Sequence, residues 1–100
     1  MKHLQLGFQE GVATVTIDRP DVRNAFNDEV IAELAAVFHE LGQRVEVRAV
    51  VLAGNGPAFC AGADLNWMKR MAGYSREENI DDASALARML EVVWRCPKPT

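Results

Sequence analysis

Leu52-Ala53-Gly54-Asn55-Gly56-Pro57-Ala58-Phe59-Cys60-Ala61-Gly62-Ala63-Asp64-Leu65-Asn66 is the stretch whose reading decides the fold. An apolar run from Val47 to Ala53 leads into it and predicts a buried strand. Gly54, Gly56 and Pro57 break that strand, and Phe59-Cys60-Ala61 resumes an extended path. Gly62-Ala63-Asp64 then turns the backbone into a helix that begins near Leu65. A strand feeding a small-residue turn that opens a helix leaves N–H groups without partners at the helix start. A phosphate or a developing negative charge can use them. The small side chains of Ala61, Gly62 and Ala63 let a ligand come close to that backbone. Local physics alone favours the plainer explanation, an ordinary turn into a helix.

Working outward, Leu4, Leu6 and Phe8 alternate with Gln5, Gly7 and Gln9, which predicts a half-buried strand. Glu10-Gly11 reads as a tight turn, and Val12 to Ile17 as the second strand of an antiparallel hairpin. Asp18 to Asn24 is a polar loop that Pro20 keeps irregular. Asn27 is a good N-cap, with Asp28 and Glu29 in the first turn where the helix dipole favours them. Val30, Ile31, Leu34, Ala35, Phe38 and Leu41 recur at helical spacing, and Gly42 is expected to end that helix. Beyond the central turn, Leu65 to Ala72 predicts a short helix stopped by Gly73. Ser75 and Glu78 form a capping box, and Ile80, Ala83, Leu86, Ala87, Leu90, Val93 and Trp94 form the apolar stripe of a long helix. Pro97 and Pro99 stop it near Cys96.

One hundred residues hold one small domain, residues 1–100, with one modest core. With 49% hydrophobic and 25% charged residues the chain reads as globular, not disordered. A net charge of −3 without a basic face argues against nucleic acid as partner. No apolar run approaches membrane-spanning length, and nothing reads as a signal peptide, so a cytoplasmic, non-membrane protein is expected. Cys60 and Cys96, far apart in apolar settings, read as buried free thiols in a reducing compartment. Gly54-Asn55-Gly56-Pro57-Ala58-Phe59 fails the dinucleotide fingerprint at Phe59, and no Gly-Lys-Ser/Thr completes a P-loop. His3 and His39 lack a paired Asp or Cys at useful spacing, so no catalysis is assigned to them, and Asp81-Asp82 lacks further ligands, so no metal site is expected.

Phe59-Cys60-Ala61-Gly62-Ala63-Asp64-Leu65 resembles the first signature of the crotonase superfamily, the enoyl-CoA hydratases and isomerases. Arg23-Asn24-Ala25-Phe26-Asn27 is similar to the same family's Asn-Ala-Leu-Asn segment, with Phe26 in the usual Leu place. The resemblance implies an α/β fold, the N-terminal part of the crotonase ββα spiral. It covers the whole chain but less than half of a complete member, so an N-terminal portion of an enzyme is expected. It further implies that the backbone N–H of Ala63 is one of two oxyanion-hole donors to an acyl-CoA thioester. A fixed donor of that kind can lower a barrier by roughly 3–4 kcal/mol.

By the same resemblance Arg23 and Ala25 lie along the CoA moiety, while Ala61, Ala63, Asp64, Leu65 and Asn66 shape the cleft. For Arg23 a solvated side chain is an equal reading, and Asn27 is first a helix cap. Asn66 stands where members often carry lysine. Trp67, Met68 and Met71 are candidate walls of an acyl pocket, against the alternative of a short amphipathic helix covering the core. Lys69 and Arg70 are read as solvated cations or as steering charges. Asp64 has the composition of a general base but is better explained as a helix cap.

The implied parent activity is hydration of a 2-enoyl-CoA, with no cofactor beyond the CoA of the substrate. Ala63-Asp64-Leu65-Asn66-Trp67-Met68-Lys69-Arg70-Met71 resembles bacterial methylglutaconyl-CoA and carboxygeranoyl-CoA hydratases, of leucine and isoprenoid breakdown. The expected partners are an acyl-CoA thioester and further copies of the chain, as a trimer or dimer of trimers in complete members. The second donor and the acid–base glutamates of the family follow further along, so the 100 residues alone are expected to be inactive. Isomerase and hydrolase chemistry of the same superfamily remain open. So does a non-catalytic assembly role, in which exposed apolar surface and free strand edges draw copies together.

Overall fold

The computed structural model describes residues 1–100. Strands β1 (Leu4–Gln9) and β2 (Val12–Ile17) form an antiparallel hairpin, with Leu4 opposite Ile17 and Gln9 opposite Val12. Glu10 and Gly11 between them both have positive φ, 50° and 82°, as the primed turns that suit the strand twist require. The alternation in β2 is complete: Ala13, Val15 and Ile17 are fully buried and the residues between them half-buried. In β1 only Leu4 is buried, because this is an edge strand; Phe8 is exposed beneath the Arg44 guanidinium, 5.1 Å from its ring centre.

A third strand, β3 (Ala49–Gly54), pairs parallel with β2, and the sheet order is β1-β2-β3. Parallel neighbours need a crossover, which α1 (Asp28–Gln43) supplies. Its start is the expected one, with the Asn27 side chain accepting from the Val30 N–H at 2.9 Å. Val30, Ile31, Leu34, Val37, Phe38 and Leu41 form its buried face, in one cluster with Ala13, Val15, Ile17 and Val50.

Two local expectations are corrected. Gly42 does not end α1; the helix continues to Gln43 and is capped at Arg44. The glycine answers a packing need instead, since a Cβ there would stand 2.9 Å from Pro97 Cδ. β3 also begins at Ala49, not Val47, although Val47 is buried just before it.

Helices α2 (Leu65–Met71) and α3 (Arg76–Trp94) complete the structure. The capping box is present: Ser75 Oγ accepts from the Glu78 N–H at 3.1 Å, and Glu78 Oε1 accepts from the Ser75 N–H at 3.0 Å. α3 packs along α1, but not on the whole predicted stripe. Met89 is buried, with Ala85, Leu86, Val92 and Val93 against the core, while Ile80, Leu90 and Trp94 face solvent, Trp94 at 86% exposure. Trp67 Nε1 also donates to Asp82 Oδ2 of α3 at 3.0 Å. Past α3 the chain returns to the sheet, where the Pro99 carbonyl accepts from the Val50 N–H at 2.8 Å on the outer side of β3. No helix is long and apolar enough to cross a membrane. Cys60 and Cys96 are free thiols, each half-buried.

Candidate active site

Two loops meet at the same end of the sheet: residues 18–27, after β2, and residues 55–64, after β3. Their junction is built around Asn24. It is fully buried, at 0% exposure, and has a left-handed backbone with φ of 58°. Asparagine is among the few side-chain-bearing residues that tolerate that region. Its Oδ1 accepts from the Arg19 N–H at 2.8 Å. Its Nδ2 donates to the carbonyls of Asn55 at 2.9 Å and Ala58 at 2.8 Å. Gly54 makes that approach possible, since a Cβ there would lie 2.7 Å from Phe59 O and 2.9 Å from Asn24 Nδ2.

Further along, the loops zip as a short parallel bridge between Phe26 and Ala63. The Ala61 N–H donates to Arg23 O at 3.0 Å, the Phe26 N–H to Gly62 O at 2.7 Å, and the Asp64 N–H to Phe26 O at 2.7 Å. Gly62 has φ of 102°, which an L side chain would strain. In this sequence of bonds the Ala63 N–H is left without an acceptor. Its peptide group is nonetheless fixed, because the carbonyl on the other side of the same trans peptide, Gly62 O, is held by Phe26. A trans peptide points its N–H opposite to its C=O, so this donor faces away from Phe26. Accepting a bond at the carbonyl also polarises the N–H.

Asp64 follows at once, 5% exposed. Its Oδ1 caps α2 by accepting from the Trp67 N–H at 3.0 Å, and its Oδ2 accepts from Arg19 Nη2 at 3.1 Å. The Trp67 N–H, and after it Arg19, hold the carboxyl below its ordinary value against the opposing effect of burial. An anion so engaged is a structural cap, not a free base. Arg19 Nη1 donates to the Ala25 carbonyl as well.

Between the loops lies a cleft of about 600 Å³. All seven residues expected to contact substrate line it: Arg23, Ala25, Ala61, Ala63, Asp64, Leu65 and Asn66. Asp21, Val22 and Lys69 complete its walls. Arg23 and Lys69 are exposed cations with no ion-pair partner in the chain. Trp67, Met68 and Met71 are not brought into this cleft. Trp67 is buried, Met71 packs against the core and Met68 is exposed, the arrangement of a short covering helix. Arg70 pairs with Asp28 at 3.1 Å on the surface. A second hollow, of about 490 Å³, lies between the C-terminal ends of α1 and α3 and contains none of the residues of either loop.

Sequence reading missed Arg19 and the inward role of Asn24. Both sit in a stretch whose polarity reads as solvent-facing, and their partners on the second loop lie 31 to 45 residues away. The Asn24-Ala25-Phe26-Asn27 motif was the one available signal for Asn24.

Comparison with known proteins bears on the family and the fold. The family pattern described as Enoyl-CoA hydratase/isomerase matches residues 7–100. A Rhodobacter capsulatus protein named "Probable enoyl-CoA hydratase" is 38% identical over 94 residues, covering 90% of this chain and 33% of the relative. The 1,2-epoxyphenylacetyl-CoA isomerase of Escherichia coli is 43% identical over 58 residues, 58% of this chain and 22% of that protein. The crystal structure of an enoyl-CoA hydratase from Shewanella pealeana superposes with a TM-score of 0.95 at 38% identity, covering 98% of this chain and 37% of that one. The architecture is therefore that of the crotonase fold. The chain spans about a third of the length of the curated relatives it matches.

Proposed function

This chain belongs to the enoyl-CoA hydratase/isomerase family, and from that premise we propose that the cleft between the two loops binds an acyl-CoA thioester. In this reading the Ala63 N–H donates to the thioester oxygen during hydration of a 2-enoyl-CoA. The observation that carries it is the open Ala63 N–H, on a peptide whose carbonyl is already held, in the wall of a cleft that small side chains leave accessible.

The chemistry follows from the charge that develops. Addition of water to the double bond pushes electrons onto the thioester oxygen as an enolate. A donor fixed before the reaction stabilises that oxygen without reorganising. Arg23 and Lys69, both unpaired, offer positive charge to the phosphates of CoA. The fixed, ionised Asp64 shapes the turn and takes no proton. By the family resemblance a second N–H donor and two proton-handling glutamates complete the machinery beyond the stretch matched here. The 100 residues alone therefore bind without appreciable turnover. The resemblance of Ala63–Met71 supports a methylglutaconyl-CoA-like substrate, and the family resemblance a cytoplasmic enzyme that is a trimer or dimer of trimers when complete.

Two observations favour second readings. The relative named as a 1,2-epoxyphenylacetyl-CoA isomerase keeps isomerase chemistry beside hydration. The outward Trp94 suits an assembly role, whereas the β3 edge is already covered where the Val50 N–H donates to Pro99 O.

The test is an amide-resolved NMR titration with butyryl-CoA and, separately, with CoA lacking the acyl group. Both ligands are expected to move the amides of Arg23 and Ala25, and the thioester alone to move Ala63 downfield. An Ala63 amide indifferent to the thioester would overturn the assignment. Crotonyl-CoA hydration at an enzyme-like rate by the 100-residue chain would overturn its inactivity.

A further inference from the structure

We infer that Arg19 is the positioning residue of the Ala63 donor, a single guanidinium that joins the two walls of the cleft; this rests on the reading of Ala63 given above. Its backbone is anchored in the first loop, where its N–H donates to Asn24 Oδ1 at 2.8 Å and its carbonyl accepts from the Asn24 N–H at 2.8 Å. From that anchor its side chain, 13% exposed, crosses to the second loop. Nη1 donates to the carbonyl of Ala25 on one wall and Nη2 to Oδ2 of Asp64 on the other.

These two contacts bracket the bridge that holds the donor. Ala25 precedes Phe26 and Asp64 follows Ala63, and Phe26 and Ala63 are the paired residues. The bonds from Phe26 to the Gly62 carbonyl and from the Asp64 N–H back to Phe26 fix the peptide planes around Ala63. The Arg19 fork sets how far the two strands of that bridge stand apart. Arginine suits the task because its planar donors reach two acceptors at once, whereas a lysine ammonium acts as a single compact charge.

The Asp64 carboxylate divides its work in a way that makes the idea testable. Oδ1 caps α2 and needs no arginine, while Oδ2 serves the clamp. Removing Arg19 therefore leaves the helix cap in place and loosens only the spacing of the loops. Arg19 is also absent from the cleft lining, so its loss removes no contact to CoA.

The experiment uses acetoacetyl-CoA, a β-keto thioester whose enolate absorbs in the near ultraviolet, bound to the 100-residue chain. The enolate fraction is followed against pH for the native chain, Arg19→Lys, Arg19→Gln and Asp64→Asn, with urea midpoints and CoA affinity measured alongside. The native chain is expected to favour the bound enolate over the free ligand. Arg19→Gln and Asp64→Asn are expected to lower the bound enolate-to-keto ratio about tenfold, one unit of apparent pKa. Arg19→Lys falls between the native chain and these variants, and the CoA affinity of the Arg19 variants stays within about twofold, since that side chain positions the loops and is absent from the cleft lining. If Arg19→Gln does not fold, Arg19→Lys carries the comparison. An unchanged enolate ratio in folded Arg19 variants overturns the clamp while sparing the Ala63 assignment. Equal losses for CoA and thioester also overturn it, as a merely structural effect. A native chain that gives no enolate shift at all overturns the Ala63 assignment itself and takes the clamp with it.

Discussion

Replacing Asn24 with alanine is the most demanding single test of how the two loops are joined. The side chain makes three hydrogen bonds, to Arg19 N, Asn55 O and Ala58 O, from a position with no solvent exposure. Alanine removes all three. The Arg19 N–H loses its acceptor in a part-buried position, a loss of about 2 kcal/mol. The Ala58 carbonyl is half-buried and contributes about 1 kcal/mol, whereas exposed Asn55 exchanges its partner for water at little cost. The backbone adds its own effect, since φ of 58° disfavours alanine by about 1 kcal/mol or slightly more. The sum is about 4 kcal/mol, a large share of the stability of a domain this size. Urea denaturation followed by fluorescence of the buried Trp67 reads it directly. Asn24→Gly should regain about 1 kcal/mol of the loss, because glycine accepts the left-handed backbone but makes none of the bonds. A loss below 1 kcal/mol in Asn24→Ala would refute the reasoning, and Asn24→Gly no better than Asn24→Ala would refute its backbone part.

Three further predictions concern separate elements. Asp64 is held below its ordinary value of 3.8, so its stabilising contribution is present above that pH and is lost as pH falls through the lower folded value; urea midpoints of the native chain and Asp64→Asn should therefore converge only in strong acid. Gly42→Ala, which in an exposed helix would stabilise by about 1 kcal/mol, should here destabilise by pushing Pro97 away, and hydrogen exchange at the Val50 amide should quicken as Pro99 leaves it. Ser75→Ala should cost about 1 kcal/mol and fray the first turn of α3, visible as a drop in helical circular dichroism.

Elements whose cause is local were legible from the residues. The Glu10-Gly11 turn, the Asn27 and Asp64 caps and the Ser75–Glu78 box each depend on groups within four positions, and the structure has all of them. The rest depended on what comes close in space. Gly42 carries the usual mark of a helix end, yet its reason is the ring of Pro97. The apolar residues of α3 outnumber those one face can bury, so periodicity could not say that Met89 goes inward and Leu90 outward. At the cleft, the lining residues were nameable because the two motifs are specific. Arg19 was not, because nothing near it in the chain signals a carboxylate 45 residues on.

The separation of Arg19 from Asp64 carries a consequence for the order of events during folding. The hairpin closes across two residues, whereas the clamp must close a loop of 45. Contacts of long sequence separation form late, after the parallel pairing of β2 and β3 has brought the loops within reach. A ligand that recognises the finished cleft then meets a surface absent from the rate-limiting step. Such a ligand should leave the refolding rate unchanged and prolong the life of the folded chain by slowing its unfolding.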